Sequence, residues 1–336
     1  MPSTRYCSSI EDSARWEGFA FREGDIVISA PSKAGTTWTQ MICALLLFGT
    51  ARLPAPLTTL SPWLDMLVRP AAEVYGQLDA QQHRRFVKTH TPLDGLPRAD
   101  GVTYLVVGRD PRDVAVSLHH QAANLDRAAI RRLTGAPEPA GPAPEPLDER
   151  SSLLRWMNAD DPPAEDLCTL RGWAWQQQVA WARRDDPSVV FVHFADLERD
   201  LEGEMRRLAD RLGIEVPGAS WSELVEAATF DRMRDRADEL VPDERQGLIT
   251  DNRRFFRSGT SGGWRSWLTP EDASAYEARV AALMAPDLAA WVHHGAAANR
   301  PVVRKRVCHA FTVLRGCIPR VIRRGSSALV SGARHS

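Results

Sequence analysis

Short apolar runs alternate with helical segments along the chain. Residues 25–29, 85–88, 103–107 and 188–192 are rich in Val, Leu, Ile and Phe, and each run has the length of a strand. Apolar residues recur with helical spacing between or after these runs, as in residues 39–48. Strands that alternate with helices favour a parallel sheet. The pattern therefore predicts an α/β fold with a central parallel sheet flanked by helices.

Two segments depart from this pattern. Residues 136–146 are rich in proline, which lacks an N–H donor and fixes φ, so we expect a loop or a mobile lid there. Residues 301–336 carry eight Lys or Arg and no Asp or Glu. We therefore expect one domain over residues 1–300, followed by a basic C-terminal tail over residues 301–336.

Composition narrows the class of protein. The 336 residues are 43% hydrophobic, which is enough for a sizeable core, and the net charge of -1 argues against a general nucleic-acid binder. Five widely spaced cysteines without a C-x-x-C pair favour a reducing compartment. The N-terminus lacks a hydrophobic signal core, and no apolar run is long enough to span a bilayer. These features predict a cytoplasmic protein without a nucleic-acid partner.

The first candidate site is the stretch A-P-S-K-A-G-T-T-W at residues 30–38. It joins the first predicted strand to the first predicted helix, and the N–H groups of such a loop favour an anion. A Walker A loop has its lysine after the second glycine, whereas Lys33 precedes Gly35, so an ordinary NTPase is disfavoured. For this loop alone, a strand-to-helix turn with an incidental lysine stays open.

Three further groups of polar residues follow later in the chain. Lys88 and His90 lie at the end of the second strand, where a histidine can act as a base, although a structural histidine is the alternative. Arg109 follows the third strand, where its guanidinium group can bind a phosphate through two nitrogens. The arginine-rich and glycine-rich residues 253–265 fit either a solvated turn or a flap over an anionic nucleotide.

In this order, the four motifs resemble those of the cytosolic sulfotransferases, which transfer a sulfuryl group from 3′-phosphoadenosine 5′-phosphosulfate (PAPS). The resemblance runs from about residue 25 to residue 267 and implies a single P-loop-like domain. It implies His90 as the base, with Lys33 and Lys88 as the other catalytic residues. The cofactor-binding residues that it implies are Lys33, Ala34, Gly35, Thr36, Thr37, Trp38, Arg109, Ser117, Phe194, Thr229, Phe230, Arg257, Ser258 and Gly259.

The sequence departs from the family pattern at three of these positions. Phe194 stands where the family often has a tyrosine, Ser258 where it usually has a lysine, and Ala34 where it usually has a serine. The site therefore lacks one phenol, one charge and one hydroxyl. The family's short dimerisation motif is not found after Trp264, so the oligomeric state stays open.

Residues 28–33, 61–65 and 79–86 look most like the actinobacterial, mycobacterial-type glycolipid sulfotransferases. The predicted function is transfer of a sulfuryl group from PAPS to a hydroxyl of a glycolipid or other small-molecule acceptor. The scheme needs no metal. A P-loop-like kinase and a non-catalytic nucleotide-binding protein are the alternatives, and retention of both Lys33 and His90 argues against the second, because binding alone needs no base.

Apolar residues are interleaved with the basic residues of the tail, as in Val302, Phe311 and Ile318. This combination fits a peripheral contact with an anionic membrane surface, which would suit a lipid-linked acceptor. A disordered or packed basic extension explains the same residues, and both interpretations stay open.

Overall fold

In the residues that the structure describes, the sheet consists of four parallel strands. The structure is a computed structural model that describes residues 2–138, 141, 145–241 and 247–299. Its strands are β1 (Ile26–Ser29), β2 (Phe86–Thr89), β3 (Thr103–Gly108) and β4 (Val189–His193), in the order β2-β1-β3-β4. Neighbouring strands run parallel throughout. The predicted central parallel sheet is confirmed, with strand ends displaced by one residue at most sites.

Helices cover both faces of the sheet. The α-helices are α1 (Thr36–Phe48), α2 (Leu57–Leu60), α3 (Ala71–Ala80), α4 (Pro111–Ala122), α5 (Arg127–Thr134), α6 (Glu149–Asn158), α7 (Leu170–Trp181), α8 (Phe194–Arg199), α9 (Leu201–Leu212), α10 (Trp221–Ala227), α11 (Phe230–Asp235), α12 (Ala237–Leu240), α13 (Asn252–Phe255), α14 (Pro270–Leu283) and α15 (Pro286–His294). Turns of 3₁₀ helix occur at Ser13–Trp16, Leu93–Gly95, Gly218–Ser220, Gly263–Ser266 and Gly295–Asn299.

Alternate residues of the strands enter two separate cores. Ile26 and Ile28 of β1 belong to the larger core, with α1 and most of the other helices, whereas Val27 packs with Trp16 and Phe19 on the opposite face. A strand that is buried on both faces has no polar positions, which explains why the sequence shows continuous apolar runs rather than alternation.

The strand order creates a crevice at one edge of the sheet. The chain leaves β1, adds β2 on one side and then β3 on the other side of β1. In open α/β sheets, ligands bind beside the carboxyl ends of strands where the order reverses in this way. The segments after β1, β2, β3 and β4 carry Lys33, His90, Arg109 and Phe194, so the topology brings all four to that edge.

Two predicted segments lie partly or wholly outside the described residues. Positions 139–140 and 142–144 of the proline-rich stretch are among them, and its described residues form neither helix nor strand. The basic tail from residue 301 onward lies entirely outside. No helix in the described ranges combines the length and the apolar composition that a bilayer span requires.

Candidate active site

The loop after β1 has the backbone of an anion-binding turn. Lys33 has a φ of 65°, in the left-handed region that non-glycine residues rarely adopt, and Gly35 follows with a φ of 115° as the N-cap of α1. No side chain of the described residues caps α1, so the N–H groups of its first turn are available to donate to a ligand. A Cβ on Gly35 would lie 3.1 Å from the Phe194 ring. Glycine therefore satisfies both the dihedral angle and the close packing at this position.

The Lys33 ammonium group lines a cavity and has no carboxylate partner among the residues that the structure describes. Its Nζ donates to the Gln121 side-chain oxygen at 3.2 Å and lies 3.9 Å from the centre of the Phe255 ring. Burial chiefly, and then the positive charges of Arg109, Lys88 and Arg257, lower the pKa of Lys33 to about 7. Such a group gains a full charge when a negative ligand arrives.

Arg109 lies at the end of β3 and is 9% exposed. It donates to the Lys33 carbonyl oxygen at 3.1 Å, and its guanidinium group stacks 4.0 Å above the Phe194 ring. Its Nε is buried without a hydrogen-bond partner among the described residues. Burial lowers the pKa of Arg109, although its charge persists at neutral pH. An orphaned donor on a buried cation indicates that an anion completes this site.

Lys88 and His90 flank Thr89 at the end of β2. The Trp63 indole covers both, with its ring centre 3.8 Å from Lys88 Nζ and 4.6 Å from the centre of the imidazole. His90 Nδ1 lies 2.6 Å from the Ala30 carbonyl oxygen, which can only accept, so Nδ1 carries the proton and Nε2 is free. Burial chiefly, and then Lys88, lower the pKa of His90 to about 3, which keeps the ring neutral.

A buried carboxyl group supports this segment from behind. Asp65 Oδ2 accepts from Thr91 Oγ1 at 2.6 Å, from Trp16 Nε1 at 3.0 Å and from the Thr89 hydroxyl. The two threonines are the neighbours of His90 in sequence. Asp65 thus fixes the backbone on both sides of the histidine, while burial raises the pKa of Asp65.

Aromatic side chains and residues 257–259 of the predicted flap line the same cavity as Lys33. Trp38 donates from Nε1 to the Ala228 carbonyl oxygen at 2.8 Å and meets the Phe194 ring edge to face. Gly259, with a φ of 63°, lies so close to Phe230 that an added Cβ would be 2.3 Å from that ring. The predicted loop at residues 253–265 is corrected in part, because α13 and the 3₁₀ turn Gly263–Ser266 lie within or beside it.

One cavity of about 260 Å³ unites these features. The predicted site residues that line it are Lys33, Gly35, Thr36, Thr37, Trp38, Lys88, His90, Arg109, Ser117, Phe194, Phe230, Arg257, Ser258 and Gly259. Ala34 is instead fully buried in the larger core, and Thr229 is the N-cap of α11, with its hydroxyl donating to the Glu226 carbonyl oxygen at 2.8 Å.

The sequence reasoning missed several lining residues, including Glu11, Trp63, Gln121 and Phe255. Gln121 could have been found, because it lies one helical turn after Ser117 on the same face of α4. No sequence signal pointed to Phe255 as the neighbour of Lys33. The apolar residues that line the cavity include Ile10, Met66, Leu125, Ile130, Leu167 and Leu248.

The charges and donors of the cavity fit PAPS, which carries phosphates at both ends of its ribose and a sulfuryl group. In the described part of the chain, no carboxylate lies within ion-pair distance of Lys33, Lys88, Arg109 or Arg257, although all four line one cavity. The buried Thr36 hydroxyl also lacks a partner there. Within the same residues, no group of three His, Cys, Asp or Glu side chains is placed to hold a metal ion.

Comparison with known proteins assigns the family. The family described as "Sulfotransferase domain" matches residues 23–286. The chain is 43% identical over 307 residues to a glycolipid sulfotransferase of Mycobacterium bovis, covering 86% of this chain and 94% of that protein. A glycolipid sulfotransferase of Mycobacterium tuberculosis is 43% identical over 309 residues, with the same coverage.

A solved structure shares the fold. Retinol dehydratase in complex with androsterone and the inactive cofactor PAP superposes with a TM-score of 0.63 at 23% identity, covering 82% of this chain and 84% of that one. The P-loop-like fold is thereby confirmed. The chain belongs to the sulfotransferase family and is a PAPS-dependent sulfotransferase.

Proposed function

We propose that this protein transfers the sulfuryl group of PAPS to a hydroxyl of a glycolipid or a related small-molecule acceptor, with His90 as the base. One observation carries the proposal. Four basic side chains that have no carboxylate partner among the described residues share a cavity with a neutral histidine whose Nε2 makes no hydrogen bond to those residues. The cations suit the donor, and the histidine suits the hydroxyl that attacks it.

In the proposed reaction, His90 Nε2 removes the proton from the acceptor hydroxyl. The acceptor oxygen forms a bond to sulfur while the bond from sulfur to the bridging phosphate oxygen breaks. Lys33 stabilises the charge that develops on the leaving phosphate, and Lys88 that on the sulfuryl oxygens. The products are a sulfate ester and 3′,5′-ADP, and His90 later releases the proton to water.

The low pKa of His90 is compatible with this role. Burial chiefly, and then the positive charges of Lys88 and Lys33, lower the pKa of His90. Bound PAPS brings negative charge beside these lysines and opposes their effect. The pKa of His90 is therefore higher at the step in which the acceptor hydroxyl loses its proton. The base is thus neutral before binding and becomes stronger on binding.

Nucleotide selectivity tests the donor assignment. Arg109 and Ser117 correspond to the family residues that hold the 3′-phosphate, and both line the cavity. We expect 3′,5′-ADP to raise the melting temperature much more than 5′-AMP, and Arg109→Ala to remove most of the difference. A charge-assisted hydrogen bond contributes about 1.5–3 kcal/mol, which is roughly tenfold to a hundredfold in affinity.

The exposed Arg98, which pairs with Asp186, offers a control, and Arg98→Ala should leave the difference intact. Equal melting shifts with both nucleotides, or a larger shift with ATP and Mg²⁺, would favour the kinase alternative.

For the acceptor, we propose a lipid-linked hydroxyl. The curated relatives at 43% identity are glycolipid sulfotransferases. The apolar lining residues of the cavity, such as Ile130 and Leu167, suit a hydrocarbon portion of the acceptor.

We further propose that residues 301–336 form a basic tail separate from the catalytic domain, and that it brings a cytoplasmic enzyme to the membrane face where such acceptors reside. The support is its composition of eight basic and no acidic residues, with apolar residues between them. Each basic residue near an anionic surface contributes about 1 kcal/mol.

A further inference from the structure

Glu11 lines the cavity but has no part in the chemistry above. Its side chain is partly buried, and in the described residues its carboxyl group makes neither a hydrogen bond nor an ion pair. Two neighbouring cavity residues are apolar: Ile10 precedes Glu11 in the sequence, and Met66 pairs with Glu11 in an isolated β-bridge. A carboxyl group in such surroundings costs free energy unless a ligand bonds to it.

The backbone holds Glu11 firmly at this place. On either side of it, Asp12 N donates to the Asp65 carbonyl oxygen at 2.9 Å and Leu67 N donates to the Ile10 carbonyl oxygen at 2.8 Å. Glu11 itself forms an isolated antiparallel bridge with Met66. The partner segment follows Trp63, whose ring covers Lys88 and His90. Glu11 is therefore positioned by the same structure that positions the catalytic groups.

The charge state of Glu11 restricts what it can recognise. Burial chiefly, and then Asp65, raise the pKa of Glu11 to about 8, against an opposing effect of Lys88. A protonated carboxyl group both donates and accepts a hydrogen bond, which matches a hydroxyl. An ammonium group would instead meet the positive charges of Lys33 and Lys88. The cavity thus favours a neutral polar group at this point.

We infer that Glu11 forms a second polar subsite, which binds another hydroxyl of the acceptor beside the one that His90 deprotonates. The acceptor is then a polyol, such as the sugar headgroup of a lipid, rather than an alcohol with a single hydroxyl. This inference rests on the proposed function, because it assumes that the cavity binds a hydroxyl acceptor.

Calorimetric titration of two probes that share an alkyl chain tests the subsite. Octyl β-glucoside, below its micelle concentration, carries several hydroxyls, and octan-1-ol carries one. In the presence of saturating 3′,5′-ADP, Glu11→Ala should weaken binding of octyl β-glucoside about tenfold and change binding of octan-1-ol less than about twofold. Glu11→Gln should restore most of the affinity, because an amide also donates and accepts.

Glu17→Ala removes an exposed acid from the same segment and should change neither affinity. Three results would overturn the inference: no binding of octyl β-glucoside by the wild type, an equal loss for both probes, or no loss for either. Because the measurement needs no turnover, absence of sulfuryl transfer in a separate labelling assay would count against the proposed function and not against the subsite.

Discussion

At the scale of single residues, three cations of the site contact aromatic rings and have no counter-ion within the described part of the chain. Lys33 lies over Phe255, Lys88 over Trp63 and Arg109 over Phe194. A cation–π contact stabilises a cation by about 0.5–2 kcal/mol without adding a negative charge. A carboxylate in the same place would compete with the donor's phosphates. The rings therefore hold the basic groups in the cavity and leave their charges available to an anion.

The pH dependence of nucleotide binding follows from Lys33. Its pKa is lowered to about 7 in the free protein, and a bound phosphate raises it again, so binding takes up a proton above pH 7. Affinity for 3′,5′-ADP should fall as pH rises from 7 to 8, by up to about tenfold per unit. The ligand's phosphates are already ionised in this range, since their second pKa is about 6.

Lys33→Arg is the matched comparison, because arginine keeps its charge throughout this range. Titration calorimetry at several pH values should show a nearly flat affinity between pH 7 and pH 8 in this variant. Any decline in affinity that remains in Lys33→Arg should begin near pH 8, because the pKa of Lys88 is lowered to about 8. An identical decline in both proteins would exclude Lys33 as the titrating group.

Some residues of the site could be predicted from local sequence patterns, whereas others depend on tertiary packing. Lys33, His90 and Arg109 each follow an apolar strand, so their place at one edge of the sheet could be predicted. Trp63 and Phe255 belong to loops whose paths depend on tertiary packing, and no local pattern ties them to the lysines that they cover. The raised pKa of Glu11 likewise depends on burial that only the folded chain creates.

At the scale of elements, helix α4 links the cavity to the predicted flap. The carboxyl group of its Asp113 accepts from Gly262 N at 2.8 Å and from Gly263 N at 3.1 Å. One turn and two turns further along the helix, Ser117 and Gln121 face the cavity. Because α4 contacts both the flap and the Lys33 side chain, it sets the position of one relative to the other. Asp110 is the N-cap of α4 and Pro111 its first residue, a pair typical of a helix start, but no local sequence pattern predicts this use of Asp113.

Gly259→Ala should damage the flap more than the fold. The new Cβ would lie 2.3 Å from Cγ of Phe230, so the ring or the flap must move. Affinity for 3′,5′-ADP should fall at least about tenfold, in line with a cost of 1–2 kcal/mol for the left-handed conformation plus the clash. Calorimetry measures the affinity, and thermal unfolding measures the fold.

Gly213→Ala is the control for this substitution. Gly213 has nearly the same φ, 62°, but nothing within 4 Å of an added Cβ, and it ends α9 outside the cavity. The Gly213→Ala variant should lose a similar amount of stability but bind 3′,5′-ADP with the affinity of the wild type. Equal nucleotide affinity in the two variants would show that contact between Gly259 and Phe230 is unimportant for binding.

At the scale of the whole molecule, the strand order determines where the chemistry occurs. Alternating strands and helices in the sequence predicted a parallel sheet, and the order β2-β1-β3-β4 then brings four distant motifs to one edge. The order itself could not be read from apolar patterns, because every strand is buried on both faces and looks alike. The resemblance of the motifs to those of the sulfotransferases predicted that they form one site, which the apolar patterns alone could not.

The proposed basic tail makes a prediction for the full chain. Because several basic residues each contribute about 1 kcal/mol near an anionic surface, the full-length protein should co-sediment with anionic liposomes at low salt. A protein ending at Arg300 should not co-sediment, while keeping its thermal unfolding temperature and its turnover of a soluble acceptor. If both proteins stay in the supernatant, the membrane role of residues 301–336 is wrong and a free small-molecule acceptor is favoured.

The most direct test of the account is transfer of the sulfuryl group itself. The protein is incubated with sulfur-labelled PAPS and an extract of host lipids and small molecules, and the label is then located. The wild type should place the label on a hydroxyl-bearing acceptor. His90→Ala should reduce the rate by ~10²–10⁴ while 3′,5′-ADP still binds within a few-fold. The exposed His294, changed to Ala, should have no effect. Absence of labelled product from the wild type, or wild-type turnover by His90→Ala, would contradict the account.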